Sequence, residues 1–153
     1  MHDKQTPDVK GKPSGFRSHV GYETLAWRDG YAEILLVLGP EHGNSYGAVH
    51  GGVYMTVMDA AMGHATTWCT VKGNRRVVVT MSLTTSFLAP ARGPTIRAVA
   101  RLVSIENRVA HCRGEIFDEN GALLVVAQGS FRYFPGSERT EGVPQERSDG
   151  SRA

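Results

Sequence analysis

The sequence predicts an α+β fold in which an antiparallel sheet is laid against one long helix. Three observations carry this: a single apolar run of helical length, several alternating runs of strand length, and turn dipeptides between consecutive strands. The 153 residues suit one domain large enough for a core of its own. Residues 1–18 and 135–153 are polar and rich in Gly, Pro and Ser, so they are expected to be disordered at either end of a working domain at 19–134.

The elements follow in order. Tyr22–Trp27 and Tyr31–Leu38 read as two strands around Asp29-Gly30, a favoured hairpin dipeptide. A loop full of turn formers, Gly39 to Val49, leads into the apolar run Gly51 to Thr67, the one convincing helix. Gly73-Asn74 marks a turn after it. From Val77 to Leu88 the pattern alternates, with Thr80, Ser82, Thr84 and Ser86 on one face and Val79, Met81, Leu83 and Phe87 on the other, until Ala89-Pro90 ends the strand. Strands at about 95–105, 108–117 and 122–134 follow, joined by turns at Glu106-Asn107 and Asp118–Gly121. A lone helix in such a sheet buries itself by lying across the sheet's concave face. Because this helix is apolar all round, a second subunit is the simplest cover for its far side.

Several function classes are excluded by composition. A formal charge of +2 with scattered Arg residues argues against nucleic acid. Cys69 and Cys112 lie far apart without a CxxC pair, so neither a metal site nor a disulfide framework is expected. The first residues lack the apolar stretch of a signal peptide, and no run reaches membrane-spanning length. A cytoplasmic protein without a membrane partner is the expectation.

One residue stands out. Between Glu41 and Glu106 the only carboxylate is Asp59, and it lies inside the apolar run His50-Gly-Gly-Val-Tyr-Met-Thr-Val-Met-Asp59-Ala-Ala-Met-Gly63. Its neighbours at three and four positions are Met55, Thr56, Met62 and Gly63, with no cation among them. An ionised acid is costly to bury among such groups, so Asp59 is expected to line a cleft and do chemistry.

The segment Asn44-Ser-Tyr-Gly-Ala-Val-His50-Gly51-Gly52, followed by Asp59, Thr80 and Ala89-Pro90-Ala91, resembles the hot-dog-fold acyl-CoA thioesterases of the phenylacetate-degradation, PaaI-like type. The resemblance covers about residues 30–134. It implies a sheet wrapped around the central helix, homodimers that join their sheets edge to edge and share active sites, and pairing of dimers into homotetramers. It also implies an acyl-CoA substrate and no separate cofactor. Position by position, Asp59 becomes the general base or nucleophile, Gly51 the backbone donor to the thioester oxygen and Asn44 a positioning group. His50 becomes an orienting contact, and Thr80 a hydroxyl that holds water or Asp59.

Elementary chemistry agrees with those roles. Thioester hydrolysis passes through a tetrahedral oxyanion, and the first turn of a helix offers unpaired N–H groups at its positive end. At Gly51 no Cβ obstructs the approaching carbonyl. A carboxylate can activate water or attack the thioester itself, and a thiolate leaves without a dedicated acid. Bland readings stand beside these: Gly51 and Gly52 as a tight turn into the helix, Asn44 as a turn former, His50 as a structural histidine, Thr80 as an ordinary strand residue. His64, Trp68 and Cys69 are expected in the core or an interface. Gly52, Tyr54, Met55, Met58 and Phe87 are expected to line a pocket for an aromatic or medium-chain acyl group. Among Arg75, Arg76, Arg92 and Arg108, the last is favoured for the CoA phosphates. The alternatives are a non-catalytic acyl-CoA-binding protein and a hot-dog enoyl-CoA hydratase, although hydratases of that kind place an Asp and a His in a loop before the helix.

Overall fold

A computed structural model describes residues 14–145. Helix α1 (Gly15–Val20) leads into strands β1 (Glu23–Arg28) and β2 (Tyr31–Val37), and a short 3-10 turn at Pro40–His42 precedes helix α2 (Gly51–Thr67). After it come β3 (Asn74–Arg75), β4 (Val78–Phe87), β5 (Thr95–Glu106), β6 (Val109–Asp118), β7 (Leu123–Tyr133) and β8 (Val143–Pro144). Six strands form one antiparallel sheet in the order β1-β2-β5-β6-β7-β4, while β3 and β8 pair separately. None of the described helices is long and apolar enough to cross a membrane.

Helix α2 lies against the sheet with Tyr54, Val57, Met58, Ala61, Met62 and Ala65 buried, the spacing of one helix face. They meet Ile34, Leu36, Ile96, Ile116, Leu124 and Phe131 from the strands. Closeness is achieved with glycine. A Cβ on Gly114 would come within 2.4 Å of the Met58 sulfur, and one on Gly129 within 2.9 Å of the Met62 sulfur. The two glycines on adjacent strands therefore form the groove in which the methionines sit. At the helix's far end the Tyr133 hydroxyl donates to the Thr66 carbonyl at 2.6 Å, tying α2 to β7.

Both chain ends depart from the sequence expectation where they are described; residues 1–13 and 146–153 lie outside the described residues. Within 1–18, Ser14 caps α1 through its hydroxyl, and Gly21 closes it in the left-handed conformation at φ 88°. Beyond 134 the chain does not turn disordered: through Gln145 it folds back over the domain. Arg76, only 6% exposed, donates to the carbonyls of Ser137, Trp68 and Glu138, and its guanidinium lies 4.7 Å from the Tyr133 ring centre. A buried cation held by three backbone carbonyls replaces apolar burial as the source of order, and composition does not register it.

Two local irregularities also differ. The β5–β6 turn is Asn107-Arg108, both with positive φ (49° and 62°), one residue later than Glu106-Asn107. In β4, Thr80 pairs with Phe131 and Ser82 with Ser130, so Met81 is an extra residue in a β-bulge. Strict alternation is broken there. Thr80 faces α2 with Leu83 and Phe87, whereas Ser82 bonds Ser130 on the outer face at 3.2 Å.

Candidate active site

Helix α2 carries two groups of candidate residues, one at its N-terminus and one two turns further in. At the N-terminus, His50 is the cap: its backbone is extended at φ −64° and ψ 136°, and its Nδ1 accepts from the Gly52 N–H at 2.9 Å. The Val53 N–H bonds the His50 carbonyl at 2.9 Å. Gly52 and Val53 are thereby satisfied, while the Gly51 N–H has no acceptor among the described residues. His50 thus acts as a cap, and Gly52 is not a free donor. Gly51 is the N–H left pointing outward from the positive end of the helix.

The loop before this cap is braced by groups the sequence reading did not single out. Buried His42 accepts from the Gly39 N–H through Nδ1 at 2.8 Å and donates through Nε2 to the Val20 carbonyl at 2.8 Å. Its own carbonyl accepts from the His50 N–H at 2.8 Å. One residue thus joins the end of α1, the loop and the helix cap, the first two through its imidazole and the third through its carbonyl. Nothing in the sequence around His42 announces this, because its partners are backbone atoms. Asn44 turns the loop: its Oδ1 accepts from the N–H groups of Tyr46 and Ala48 at 2.9 and 3.1 Å. That is an Asx-type turn, and it leaves the amide NH2 without a partner among the described residues.

Beside Gly51 lies a cavity of about 370 Å³ lined by Ala48, Val49, Gly51, Tyr54, Phe87, Leu88, Ala89 and Pro90. Phe87 and Tyr54 stand 6.0 Å apart, ring centre to ring centre, and the Tyr54 hydroxyl accepts from the Ala91 N–H at 3.0 Å. A Cβ on Gly51 would reach the Phe87 ring at 3.5 Å, an ordinary contact.

Asp59 occupies a different cavity, of about 290 Å³, with Phe16, Tyr22, Met55, Thr56, Ala60 and Leu83. Half-buried, it accepts a hydrogen bond from the Thr80 hydroxyl at 2.7 Å. No cation forms an ion pair with it among the described residues. The bulge at Met81 is what turns Thr80 inward to reach it. The two cavities have no lining residue in common. Eight residues of helix separate Gly51 from Asp59 by roughly 12 Å at 1.5 Å per residue. A base and an oxyanion donor serving one carbonyl must each come within about 3 Å of it, so one α2 cannot supply both to the same thioester.

The expected acyl-pocket residues divide accordingly. Met55 lines the Asp59 cavity, and Tyr54 and Phe87 the Gly51 cavity, whereas Met58 is fully buried against Gly114 and lines neither. Met58 belongs to the core because the 3.6-residue period turns it toward the sheet, which its hydrophobicity alone does not reveal. Arg76 is withdrawn from the CoA candidates, its donors being engaged by carbonyls. Arg108 sits in the β5–β6 turn and lines neither cavity.

Phe16 and Tyr22 were not anticipated. Phe16 falls in a stretch whose composition reads as disordered, but Ser14 and Gly21, a cap and a stop signal bracketing six residues, mark the short helix. His64 lies in the structural layer: burial pushes it below its ordinary 6.5, its Nδ1 lies 2.7 Å from the Ala60 carbonyl, and its ring meets Trp27 edge-on. Trp68 meets Trp27 likewise at 5.7 Å, and Cys69 donates to the Glu141 carbonyl at 3.1 Å. Burial pushes the Cys112 thiol up to about 12, so it takes no part in nucleophilic chemistry. No cluster of metal-ligating side chains occurs among the described residues.

Comparison with known proteins places this geometry. The family model of the thioesterase superfamily matches residues 46–125. A curated esterase candidate from Halobacterium salinarum is 34% identical over 99 residues, 61% of this chain and 65% of the relative; the chain thus spans just under two thirds of that protein's length. A Bacillus halodurans protein solved with CoA shares 28% identity at a TM-score of 0.72, covering 80% of each chain. The PaaI protein of Escherichia coli, from the phenylacetic acid degradation operon, has the same fold at a TM-score of 0.70 and 18% identity, covering 85% of this chain and 87% of that one.

Proposed function

The chain belongs to the thioesterase superfamily, and from that premise we propose that it hydrolyses an acyl-CoA thioester to free acid and CoA. The observation that carries the reading is the hydrogen bond from Thr80 to Asp59, which holds a lone, half-buried carboxylate at a mainly apolar cavity. Oriented this way, one Asp59 oxygen is engaged and the other is left to take a proton from water or to attack the thioester carbon. In the first route water oxygen bonds to the carbonyl carbon as its proton passes to Asp59. In the second the acyl group passes to Asp59 and water then releases it. In both, the carbonyl electrons move onto oxygen and return as the carbon–sulfur bond breaks, expelling CoA thiolate.

The developing oxyanion is assigned to the Gly51 N–H, where the helix dipole and an unpaired donor coincide. The separation within α2 supports a shared site in this reading: Gly51 of one chain faces Asp59 of another across a twofold axis, and a homodimer, itself paired into a tetramer, has two sites per dimer. The Asn44 amide NH2 serves to position the substrate. CoA as the carrier is supported by the Bacillus halodurans neighbour, solved with CoA, and Arg108 is the cation assigned to its phosphates.

Hydrolysis of a panel of aromatic and straight-chain acyl-CoAs, followed by thiol release, tests the reading. Asp59→Asn is expected to lower turnover by at least about a hundredfold while the melting temperature holds. A wild-type protein inert toward every member of the panel, or a fully active Asp59→Asn variant, would contradict it.

A further inference from the structure

Helix α1 buries none of its own residues. A six-residue helix whose packing against the core is limited to the half-buried Val20 is held besides at five points. Ser14 caps its start, Gly21 its end, His42 binds the Val20 carbonyl, Arg17 Nε donates to the Tyr22 carbonyl at 3.3 Å, and the Arg17 guanidinium lies 5.7 Å over the Tyr22 ring. Its large apolar side chain, Phe16, is 62% exposed and borders the Asp59 cavity, with Tyr22 beside it. These anchors thus fix the helix so that an aromatic side chain borders the same cavity as the carboxylate, at a cost in exposed apolar surface.

We propose that Phe16 and Tyr22 are specificity-determining residues, the wall that limits how long an acyl group fits beside Asp59. The inference rests on the thioesterase reading for the identity of the ligand. The cavity, at about 290 Å³, is only about twice the ~150 Å³ that holds a benzene molecule. It accepts a short or single-ring acyl group, and a longer chain meets the Phe16 ring. Met55, Ala60 and Leu83 supply the remaining apolar surface. Alternatively, the acyl group would enter the Gly51 cavity, where Phe87 is the corresponding aromatic wall.

Non-hydrolysable S-alkyl-CoA thioethers, from ethyl to octyl, separate these cases by calorimetric titration of the full chain. In the wild type, affinity is expected to rise with the first carbons and then stop rising. Phe16→Ala should lift that limit, raising the octyl-to-ethyl affinity ratio by about tenfold, the scale of one or two methylenes in an apolar site. Phe16→Trp should lower the limit. Because Phe16 is exposed, neither change threatens the core. An unchanged ratio in both variants, a shift produced by Phe87→Ala instead, or failure of every thioether to bind the wild type would each overturn the proposal. The matched acyl-CoA panel reports on hydrolysis separately. Thioethers that bind with the expected shift, together with acyl-CoAs that are never cleaved, would sink the thioesterase reading and leave the wall standing.

Discussion

The two ends of the functional stretch of α2 are built by opposite means. Around Gly51 the hydrogen-bonding groups that shape the helix start come from one continuous segment, residues 39–53, while Tyr54 and Phe87 to Pro90 add the rest of the cavity wall: Asn44 turns the loop, His50 caps the helix, and one N–H is left over. Around Asp59 the parts come from α1, Tyr22 just before β1, the helix and β4, brought together only by the finished fold. The first end is local geometry. The second is tertiary structure, and its precision depends on a bulge and on a short helix with no fully buried residue of its own.

That contrast can be broken at either end. The sharpest test of the local end is Gly51→Pro. Proline is well tolerated at the first helical position, His50 already has the extended backbone that a following proline requires, and the added ring carbon at Cβ meets Phe87 at no less than an ordinary contact. The N–H is removed, and the ring's Cδ takes its place on the nitrogen. We expect turnover to fall by about a hundredfold or more, the scale for one oxyanion donor, with the melting temperature preserved, whereas Gly51→Ala should stay within about tenfold of wild type. Equal activity in Gly51→Pro and Gly51→Ala would remove Gly51 from the site.

The C-terminal strap offers a stability comparison. A chain ending at Phe134 loses the Ser137 and Glu138 carbonyls and leaves the buried Arg76 guanidinium partly unpartnered. Relative to a chain ending at Gln145 it should be less stable by at least about 2 kcal/mol in urea denaturation. Equal midpoints would show that the strap contributes nothing.

A smaller effect is expected from Thr80, whose hydroxyl donates to Asp59. Thr80→Val should lower turnover by about tenfold at little changed KM, and Thr80→Ser should restore most of it. Loss in both variants alike would mean that the hydroxyl is not what matters.

How much was legible in the sequence follows the same division. Helix α2 was readable to its ends, because an apolar run bracketed by His50-Gly51 and a later Gly73-Asn74 turn is a local signal. The six strands of the main sheet were readable to within a residue or two, β3 and β8 were not, and the Asn44–Asp59 motif pointed to the thioesterase family. What stayed hidden depends on distant partners. Thr80 was placed on the face of Ser82 and Thr84 because strict alternation does not foresee the extra residue at Met81. Met58 was placed in the pocket because its type suits core and pocket alike, and only Gly114 opposite settles which. Residues 135–145 were read as disordered because a buried arginine held by three carbonyls leaves no trace in composition.

The central claim, that the two ends serve one reaction only when contributed by two chains, has a direct measurement. Asp59→Ala and Gly51→Pro subunits, each inactive alone, are mixed, unfolded and refolded together, and heterodimers are verified by mass spectrometry. Random pairing makes half of the dimers mixed, each with one of its two sites intact, so about a quarter of wild-type thioesterase activity should return. Verified heterodimers as inactive as their parents would mean that Gly51 and Asp59 act from the same chain, and the account of a shared site would be wrong.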